Sequence, residues 1–173
     1  MRAAEFWRTV VGDRSFALEK LLDLLKASGI PFCVIGGQGV NAYVEPLVSL
    51  DLDLVIATDQ LEEALRALAA DFRIERFTHT INLSQPGSDL RIQIQTDPRY
   101  SSFVARSMER PVLGIRMPVA DLRDILHSKV WAAADETRRA SKRQKDLADI
   151  GRILEAFPDL RSEVPSEILA RLF

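Results

Sequence analysis

The sequence predicts a mixed α/β (α+β) protein, in which helices flank a mixed sheet and a helical extension follows at the C-terminus. Short apolar runs bounded by glycine and proline alternate with segments that repeat leucine at helical spacing, and helical spacing returns near the end of the chain. With 173 residues and 47% hydrophobic content, the chain is long enough to bury a core without disulfides. We predict a core over 1–118 and the helical extension over 119–173, within one compact unit.

The first half of the chain predicts alternating helices and strands. A leucine-rich helix ends at Gly29, and the apolar run that follows is typical of a buried strand. Asp59 and Glu62 have the spacing of a capping box, which predicts the start of a later helix. The predicted elements are a helix through Leu18 and Leu25, a strand over 32–35, a helix over 38–44, a strand over 50–57 and a helix carrying Leu61, Leu65 and Leu68.

The second half predicts further strands and then helices. The segment from Gln85 to Ser88 contains proline and glycine and is a turn signal, and the residues after it alternate between apolar and polar. Asp121 is a predicted helix cap, and Ser141 with Gln144 predicts a second capping box. The predicted elements are strands over 73–78, 80–83, 90–95 and 112–117, a helix through Ile125 and Trp131, and a helix carrying Leu147, Ile150, Leu154 and Phe157.

Two aspartates share one face of a predicted strand. Residues two apart on a strand point the same way, so Asp51 and Asp53 lie side by side while Leu52 and Leu54 face the core. Two neighbouring carboxylates repel one another unless a positive charge lies between them, and Mg²⁺ prefers carboxylate oxygens together with substrate phosphates. The alternative is a pair of solvated polar residues, but aspartate is depleted in strands. The pair therefore predicts a metal site.

A glycine pair precedes these aspartates. Thirteen residues, 38 to 50, separate Gly36 and Gly37 from Asp51. Glycine lets backbone N–H groups approach a ligand closely, and a helix that begins beside it favours an anion such as phosphate. Metal-binding carboxylates next to a phosphate cradle indicate phosphoryl or nucleotidyl transfer.

This combination resembles the signature of the polymerase-beta-type nucleotidyltransferase superfamily. In that signature an apolar residue and a Gly-Gly or Gly-Ser pair precede, by a spacer of about this length, an Asp-x-Asp flanked by aliphatic residues; here it covers residues 35–56. Ser49 matches the hydroxyl residue often found two positions before the first aspartate. The chain looks like a small bacterial-type member, near the minimal nucleotidyltransferases and the AbiEii-like toxin family.

The resemblance implies an enzyme that binds ATP or another NTP with Mg²⁺ or Mn²⁺ and transfers a nucleoside monophosphate. Asp51 and Asp53 are the implied catalytic and metal-binding residues, and Gly36, Gly37 and Ser49 are the implied nucleotide-binding residues. The acceptor stays open among RNA, a protein side chain and a small molecule such as an aminoglycoside. Toxin members of the resembled family imply an antitoxin partner in a toxin–antitoxin system.

The resemblance also implies a further carboxylate on a neighbouring strand, and here the sequence departs from the pattern. The position that should hold an aspartate is Gln93, which can coordinate weakly through its carbonyl oxygen but cannot take a proton. Asp89 and Asp97 flank that strand and share its polar face by odd–even counting, so either could substitute. The alternative function is therefore a catalytically degenerate nucleotide-binding or regulatory module that acts within a protein complex.

A basic run marks the C-terminal helices. Residues 138–145 hold five basic side chains and no acidic one, which taken alone indicates a solvated helix surface. The resemblance implies instead that Lys129 and Lys145 contact the nucleotide. It also places Lys142, Asp146 and Asp149 on one side of a helix. Binding of RNA through this run without nucleotide chemistry is the least favoured reading, because the run contains no aromatic residue.

Composition excludes several classes of protein. The net charge of −2 provides no field that would drive the whole chain to nucleic acid or membrane, and the single cysteine excludes an internal disulfide. Cys33 lies in an apolar run and is expected to be inert, while His79 and His127 are expected to be structural. No apolar stretch is long enough to span a membrane and the N-terminus does not resemble a secretory signal, so a cytoplasmic location is expected.

Overall fold

The computed structural model describes residues 16–112 and 114–172. Within these residues, helices and strands follow in the order that the sequence predicts for an α/β (α+β) protein. The α-helices are α1 Ala17–Ala27, α2 Gly36–Asn41, α3 Leu61–Leu68, α4 Leu122–Ala134, α5 Ala140–Ala156 and α6 Ser166–Leu169. The strands are β1 Phe32–Ile35, β2 Asp51–Ile56, β3 Arg73–Arg76, β4 Thr80–Ser84, β5 Arg91–Gln95, β6 Met108–Val112 and β7 Ile115–Val119.

The strands form one mixed sheet with the order β3-β4-β5-β2-β1-β7-β6. Strand β2 pairs antiparallel with β1 and parallel with β5, so the strand that carries the two aspartates lies at the centre of the sheet. The predicted fold class, a mixed sheet flanked by helices, is confirmed.

Burial in β2 follows the predicted alternation. Leu52 and Leu54 are fully buried, whereas Asp51 and Asp53 are only partly buried on the other face. Strand β1 is buried along its whole length, as expected for an apolar run that is covered on both faces. The apolar core therefore fixes which face of the sheet presents the aspartates.

Two predicted local signals are confirmed. In the turn before β5, Gly87 has a φ of 86°, a conformation that glycine adopts without strain, and Ser88 N donates to Gln85 O at 3.2 Å. At the start of α4, the Asp121 carboxylate accepts a hydrogen bond from Arg123 N at 2.9 Å.

Both predicted capping boxes are wrong. Asp59 lies inside a short 3₁₀ turn, Thr58–Gln60, and α3 begins after it at Leu61 without a side-chain cap. Ser141 lies within α5, because Asp135 accepts from the backbone and hydroxyl of Thr137 and forms the turn that precedes the helix. In each case the chain enters the helix through another local turn, so the hydroxyl or carboxylate is displaced from the cap position.

The predicted single edge strand over 112–117 is also wrong. Gly114 has a φ of 78° and reverses the chain, so that β6 and β7 form an antiparallel hairpin. Elsewhere the predicted ends of helices and strands differ by a few residues from those in the structure. For example, the helix predicted over 38–44 begins at Gly36 and ends at Asn41.

The C-terminal helices pack against one another and against α2. Leu147, Ile150 and Leu154 of α5 are buried as predicted, and Phe157 is partly buried. The last strand runs to Val119, so the predicted division between 118 and 119 falls at its end and stays a prediction. Among the described helices, none has the length and apolar content needed to cross a membrane.

Candidate active site

A polar cavity of about 710 Å³ opens over the aspartate face of β2. Its floor is formed by residues of β2 and β5 and of the neighbouring strands β3 and β4. Its walls are the loop before β2 and the side of α5 that carries Lys142 and Lys145. Among the predicted site residues, those that line it are Gly37, Ser49, Asp51, Asp53, Gln93, Lys129 and Lys145. We refer to it below as the central cavity.

Gly36 lies against Asp53 so closely that no other residue fits. It has a φ of 63°, and a Cβ at this position would collide with Asp53 Oδ2. Gly37 differs, because a Cβ there would meet no atom within 4 Å. The first glycine is therefore required by the contact between α2 and the second aspartate.

Asp53 is a carboxyl group held in desolvated surroundings. Burial raises its pKa to about 6, against an ordinary value of 3.8. The charge of Asp51 also raises this pKa, whereas Lys129, Arg138 and Lys142 lower it. The surroundings of Asp53 thus favour either a proton or a cation on its oxygens.

Asp51 is neutralised by two cationic side chains from two different elements. Arg91 Nε lies 2.9 Å from Asp51 Oδ1, and Lys142 Nζ lies 3.7 Å from Asp51 Oδ2. Arg91 is the register partner of Asp51 in the parallel β2–β5 pair. The alternation of apolar and polar residues in β5 places Arg91 on the polar face, but only the strand register places it beside Asp51.

Gln93 occupies the position next to Asp53 on β5, where the resemblance implies a third carboxylate. The two residues are register partners, and Gln93 Nε2 donates to Asn82 Oδ1 on β4 at 2.9 Å. Asp89 is exposed before the strand, and Asp97 is bound by Arg99, with Nη2 to Oδ2 at 2.8 Å. Neither aspartate lines the central cavity, so of the three candidate positions only Gln93 lies beside the predicted pair.

Lys129 is buried between two carboxylates that link α4 to α5. Its Nζ lies 2.9 Å from Asp146 Oδ1 and 2.7 Å from Asp149 Oδ2. Burial lowers the pKa of Lys129, but the charges of Asp149 and Asp146 outweigh it and the net shift is upward. Arg138 and Arg152 bind the outer oxygens of the two aspartates, at 2.9 Å and 2.8 Å. Lys129 is therefore a charged group at the cavity wall, held between two carboxylates.

Lys145 and Ser49 lie on opposite walls of the central cavity. Lys145 is exposed on the same helix as Asp146 and Asp149, the two partners of Lys129. Ser49 Oγ accepts from Asp51 N at 3.2 Å, and Gln38 Nε2 donates to Ser49 O at 3.1 Å. Asn41 holds the same loop, donating from Nδ2 to Leu47 O at 2.7 Å. The loop before β2 is thus anchored to α2 by side-chain amides.

The donor set fits a divalent cation. Within the described residues no group of three or more His, Cys, Asp or Glu side chains is placed to hold a metal. Mg²⁺, however, commonly takes one or two protein carboxylates and completes its shell with water and substrate phosphates. The desolvated carboxylate of Asp53 and the paired cations on Asp51 show that this position attracts positive charge, and the Gln93 amide lies beside it.

The remaining candidates have structural surroundings. Burial raises the pKa of the Cys33 thiol to about 12, so it is inert as predicted. His79 lies in the turn between β3 and β4, and His127 Nε2 lies 3.4 Å from Glu163 Oε2. Trp131 packs edge-on against Tyr100, with ring centroids 5.7 Å apart. None of these residues lines the central cavity.

Solved structures show that this mixed sheet flanked by helices is a nucleotidyltransferase-like α/β fold. The antibiotic-resistance factor ANT(2'')-Ia matches with a TM-score of 0.54 at 13% identity, over 84% of this chain and 90% of that one. The lincosamide antibiotic adenylyltransferase LnuA matches with 0.54 at 13%, over 79% and 95%. An antigenic nucleotidyltransferase-like protein from Paracoccidioides brasiliensis matches with 0.55 at 20%, over 97% and 87%.

The family is shown by the sequence. The family described as "Nucleotidyl transferase AbiEii toxin, Type IV TA system" matches residues 48–173, and the chain belongs to it. The matched segment contains both aspartates and the helices α4, α5 and α6, while the two glycines precede it. No curated protein matches the chain. The resemblance drawn from the sequence is confirmed, with nucleotidyl transfer as the general class of activity.

Proposed function

We propose that this protein binds an NTP together with Mg²⁺ or Mn²⁺ and transfers the nucleoside monophosphate to an acceptor. The observation that carries the proposal is the position of Asp51 and Asp53, side by side on the floor of a cavity whose opposite wall is basic. Membership of a nucleotidyltransferase family supports the same reaction.

The two aspartates would hold the cation, which when bound neutralises charge on the polyphosphate. Burial raises the pKa of Asp53 and so disfavours its bare negative charge, which a bound cation would stabilise. Gly37 and Ser49, which both line the cavity, would take phosphate oxygens through backbone and hydroxyl donors, and Gly36 lets α2 lie close to Asp53. Because catalysis of this kind is mostly positioning and charge stabilisation, these contacts account for much of the proposed chemistry.

The two lysines would contribute differently. Lys145 is exposed at the cavity wall and can reach a phosphate directly. Lys129 already donates to Asp146 and Asp149, so its ammonium has one N–H left for a phosphate and its charge is largely neutralised. We therefore expect Lys145 to act mainly on nucleotide affinity, and Lys129 to hold the wall in place.

The acceptor is proposed to be macromolecular. The family description names a toxin of a toxin–antitoxin system, which favours an RNA or a protein as the target and an antitoxin as the partner. A small-molecule acceptor is the alternative that the experiment also tests, because LnuA was solved with lincomycin bound and ANT(2'')-Ia with adenylyl-2''-tobramycin.

The test is calorimetric titration with each NTP, in Mg²⁺ and again in EDTA, followed by incubation of labelled NTPs with RNA, protein and aminoglycoside pools. We expect metal-dependent binding and label transfer to one pool. The Asp51→Asn/Asp53→Asn double variant should lose both while remaining folded, and Asp71→Asn, an exposed aspartate outside the cavity, should lose neither. Undiminished NTP affinity in the folded double variant would refute the metal assignment.

A second candidate is a degenerate module that binds nucleotide without turnover. The observation in its favour is Gln93, an amide in register with Asp53 where a carboxylate is implied. In that case Gln93→Asp should raise transferase activity from near zero. High wild-type activity with no gain in the variant would exclude the degenerate module.

A further inference from the structure

Arg91 lies over the predicted metal position although no metal-binding or nucleotide-binding motif includes it. Its guanidinium Nε is 2.9 Å from Asp51 Oδ1, and its side chain lines the central cavity. Strand β5 delivers it there because Arg91 and Asp51 are parallel register partners. This contact fills one oxygen of a carboxylate that the proposed function assigns to a divalent cation.

The contact is of a kind that can be exchanged. The Arg91 side chain is 66% exposed and that of Asp51 is 31% exposed, so the pair is close to solvent. Exposed ion pairs contribute little net free energy, about 1 kcal/mol or less, and a stronger charge can displace them. Lys142 Nζ lies 3.7 Å from the other oxygen of Asp51, and this second cation could be displaced in the same way.

We propose that Arg91 is a polyphosphate-binding residue that exchanges partners. Without metal it neutralises Asp51, and when the metal–nucleotide complex binds it leaves Asp51 for a phosphate in the same cavity. The proposal rests on the proposed function, because it needs both the cation at Asp51 and a polyphosphate beside it. The guanidinium fork suits phosphate oxygens at least as well as a single carboxylate oxygen.

The exchange predicts two effects of opposite sign. Arg91 competes with the metal for Asp51 when no nucleotide is present, so removing it should strengthen binding of metal alone. Arg91 attracts the polyphosphate once the metal has taken Asp51, so removing it should weaken binding of nucleotide. A residue with only a structural role would move both affinities in the same direction or neither.

The experiment measures Mn²⁺ binding by electron paramagnetic resonance, first alone and then with a non-hydrolysable NTP analogue, on wild type and Arg91→Met. The matched control is Arg76→Met, which removes an exposed strand arginine paired with Glu62 at 2.8 Å, outside the cavity. Arg91→Lys keeps the charge and serves as a second variant. Thermal unfolding checks that all variants are folded.

In Arg91→Met we expect the affinity for Mn²⁺ alone to rise about two- to fivefold, the range set by an exposed ion pair. The affinity for the analogue at saturating Mn²⁺ should fall about tenfold, as for loss of one charge-assisted contact. Both affinities of Arg91→Lys should lie between those of wild type and Arg91→Met, and both affinities of Arg76→Met should equal those of wild type.

Two results would overturn the inference. If wild type binds Mn²⁺ and analogue but Arg91→Met behaves like Arg76→Met, the exchange is wrong while the proposed function stands. If wild type binds neither ligand, the proposed function fails and the exchange fails with it.

Discussion

Asp53 carries its charge in surroundings that disfavour it, and this has a measurable cost. Its folded-state pKa of about 6 lies above the ordinary 3.8, so the folded protein holds the proton more tightly than the unfolded chain does. Ionisation therefore lowers the free energy of unfolding. The loss is absent below pH 3.8, grows as the pH rises to about 6, and is constant above that.

We predict that Asp53→Asn stabilises the metal-free protein while it removes metal binding. At pH 8 in EDTA the free energy of unfolding should rise by about 1–3 kcal/mol, because two pKa units correspond to at most about 3 kcal/mol. The gain over wild type should shrink as the pH falls to 5. Urea unfolding at both pH values measures it. Equal stability of the two proteins at pH 8 would contradict the desolvation of Asp53.

Gly36 and Gly37 are adjacent in sequence but not equivalent. Gly36 has a positive φ, and a Cβ added to it would collide with Asp53. A Cβ added to Gly37 would meet no atom within 4 Å. We predict that Gly36→Ala lowers the free energy of unfolding by about 1–3 kcal/mol and weakens Mn²⁺ binding. Gly37→Ala, the matched control, should be neutral or slightly stabilising. Urea unfolding and Mn²⁺ titration distinguish the two, and similar effects at both positions would contradict the close approach.

Side-chain alternation predicted the aspartate pair, but it could not predict the neighbours of that pair. Odd–even counting places Arg91 and Gln93 on one face of a strand, and this needs only the sequence. Which residue of β2 each one meets depends on the parallel register of two strands that are distant in the chain. Arg91 was missed for this reason, since an exposed arginine on a polar face has the pattern of a solvated residue.

At the scale of elements, the contact between α4 and α5 forms the basic wall of the cavity. Lys129 is 8% exposed and lies between Asp146 and Asp149, each of which also binds an arginine. Removing one partner of a buried ion pair lowers the free energy of unfolding, because the other partner is left as an uncompensated buried charge. These basic and acidic residues thus join the two helices through buried and partly buried ion pairs.

We predict that Lys129→Met lowers the free energy of unfolding by about 3–5 kcal/mol, because the two carboxylates lose their shared cation. Lys145→Met on the exposed side of α5 is the matched control and should change the free energy of unfolding by less than about 0.5 kcal/mol, while it weakens nucleotide binding. Urea unfolding and NTP titration measure the two effects. A stable Lys129→Met protein with weakened NTP affinity would show instead that Lys129 acts on the nucleotide.

Apolar spacing predicted the elements better than their ends. The buried faces of α1, β1, β2 and α5 follow from spacing alone, because burial of apolar side chains decides these faces. The capping boxes failed because the chain enters each helix through a short local turn, which leaves Asp59 and Ser141 away from the cap position. The β6–β7 hairpin was missed because its turn at Gly114 interrupts a segment whose apolar residues look continuous.

At the scale of the whole molecule, the central cavity joins the two predicted segments of the chain. Residues of 1–118 supply the floor with Asp51, Asp53 and Gln93, and residues of 119–173 supply the wall with Lys142 and Lys145. The ion pair from Asp51 to Lys142 crosses between them. A ligand in the cavity would therefore contact both segments at once.

We predict that a metal–NTP complex slows amide hydrogen exchange in both segments together. At a ligand concentration 100 times its Kd, the folded state gains about 2.7 kcal/mol, and amides that exchange through global unfolding share this gain. Mass-spectrometric hydrogen exchange should show protection of β2 and β5 and equally of α4 and α5. The Asp51→Asn/Asp53→Asn variant should show none. Protection confined to 1–118 would mean that the helical extension unfolds independently and that its lysines do not hold the nucleotide.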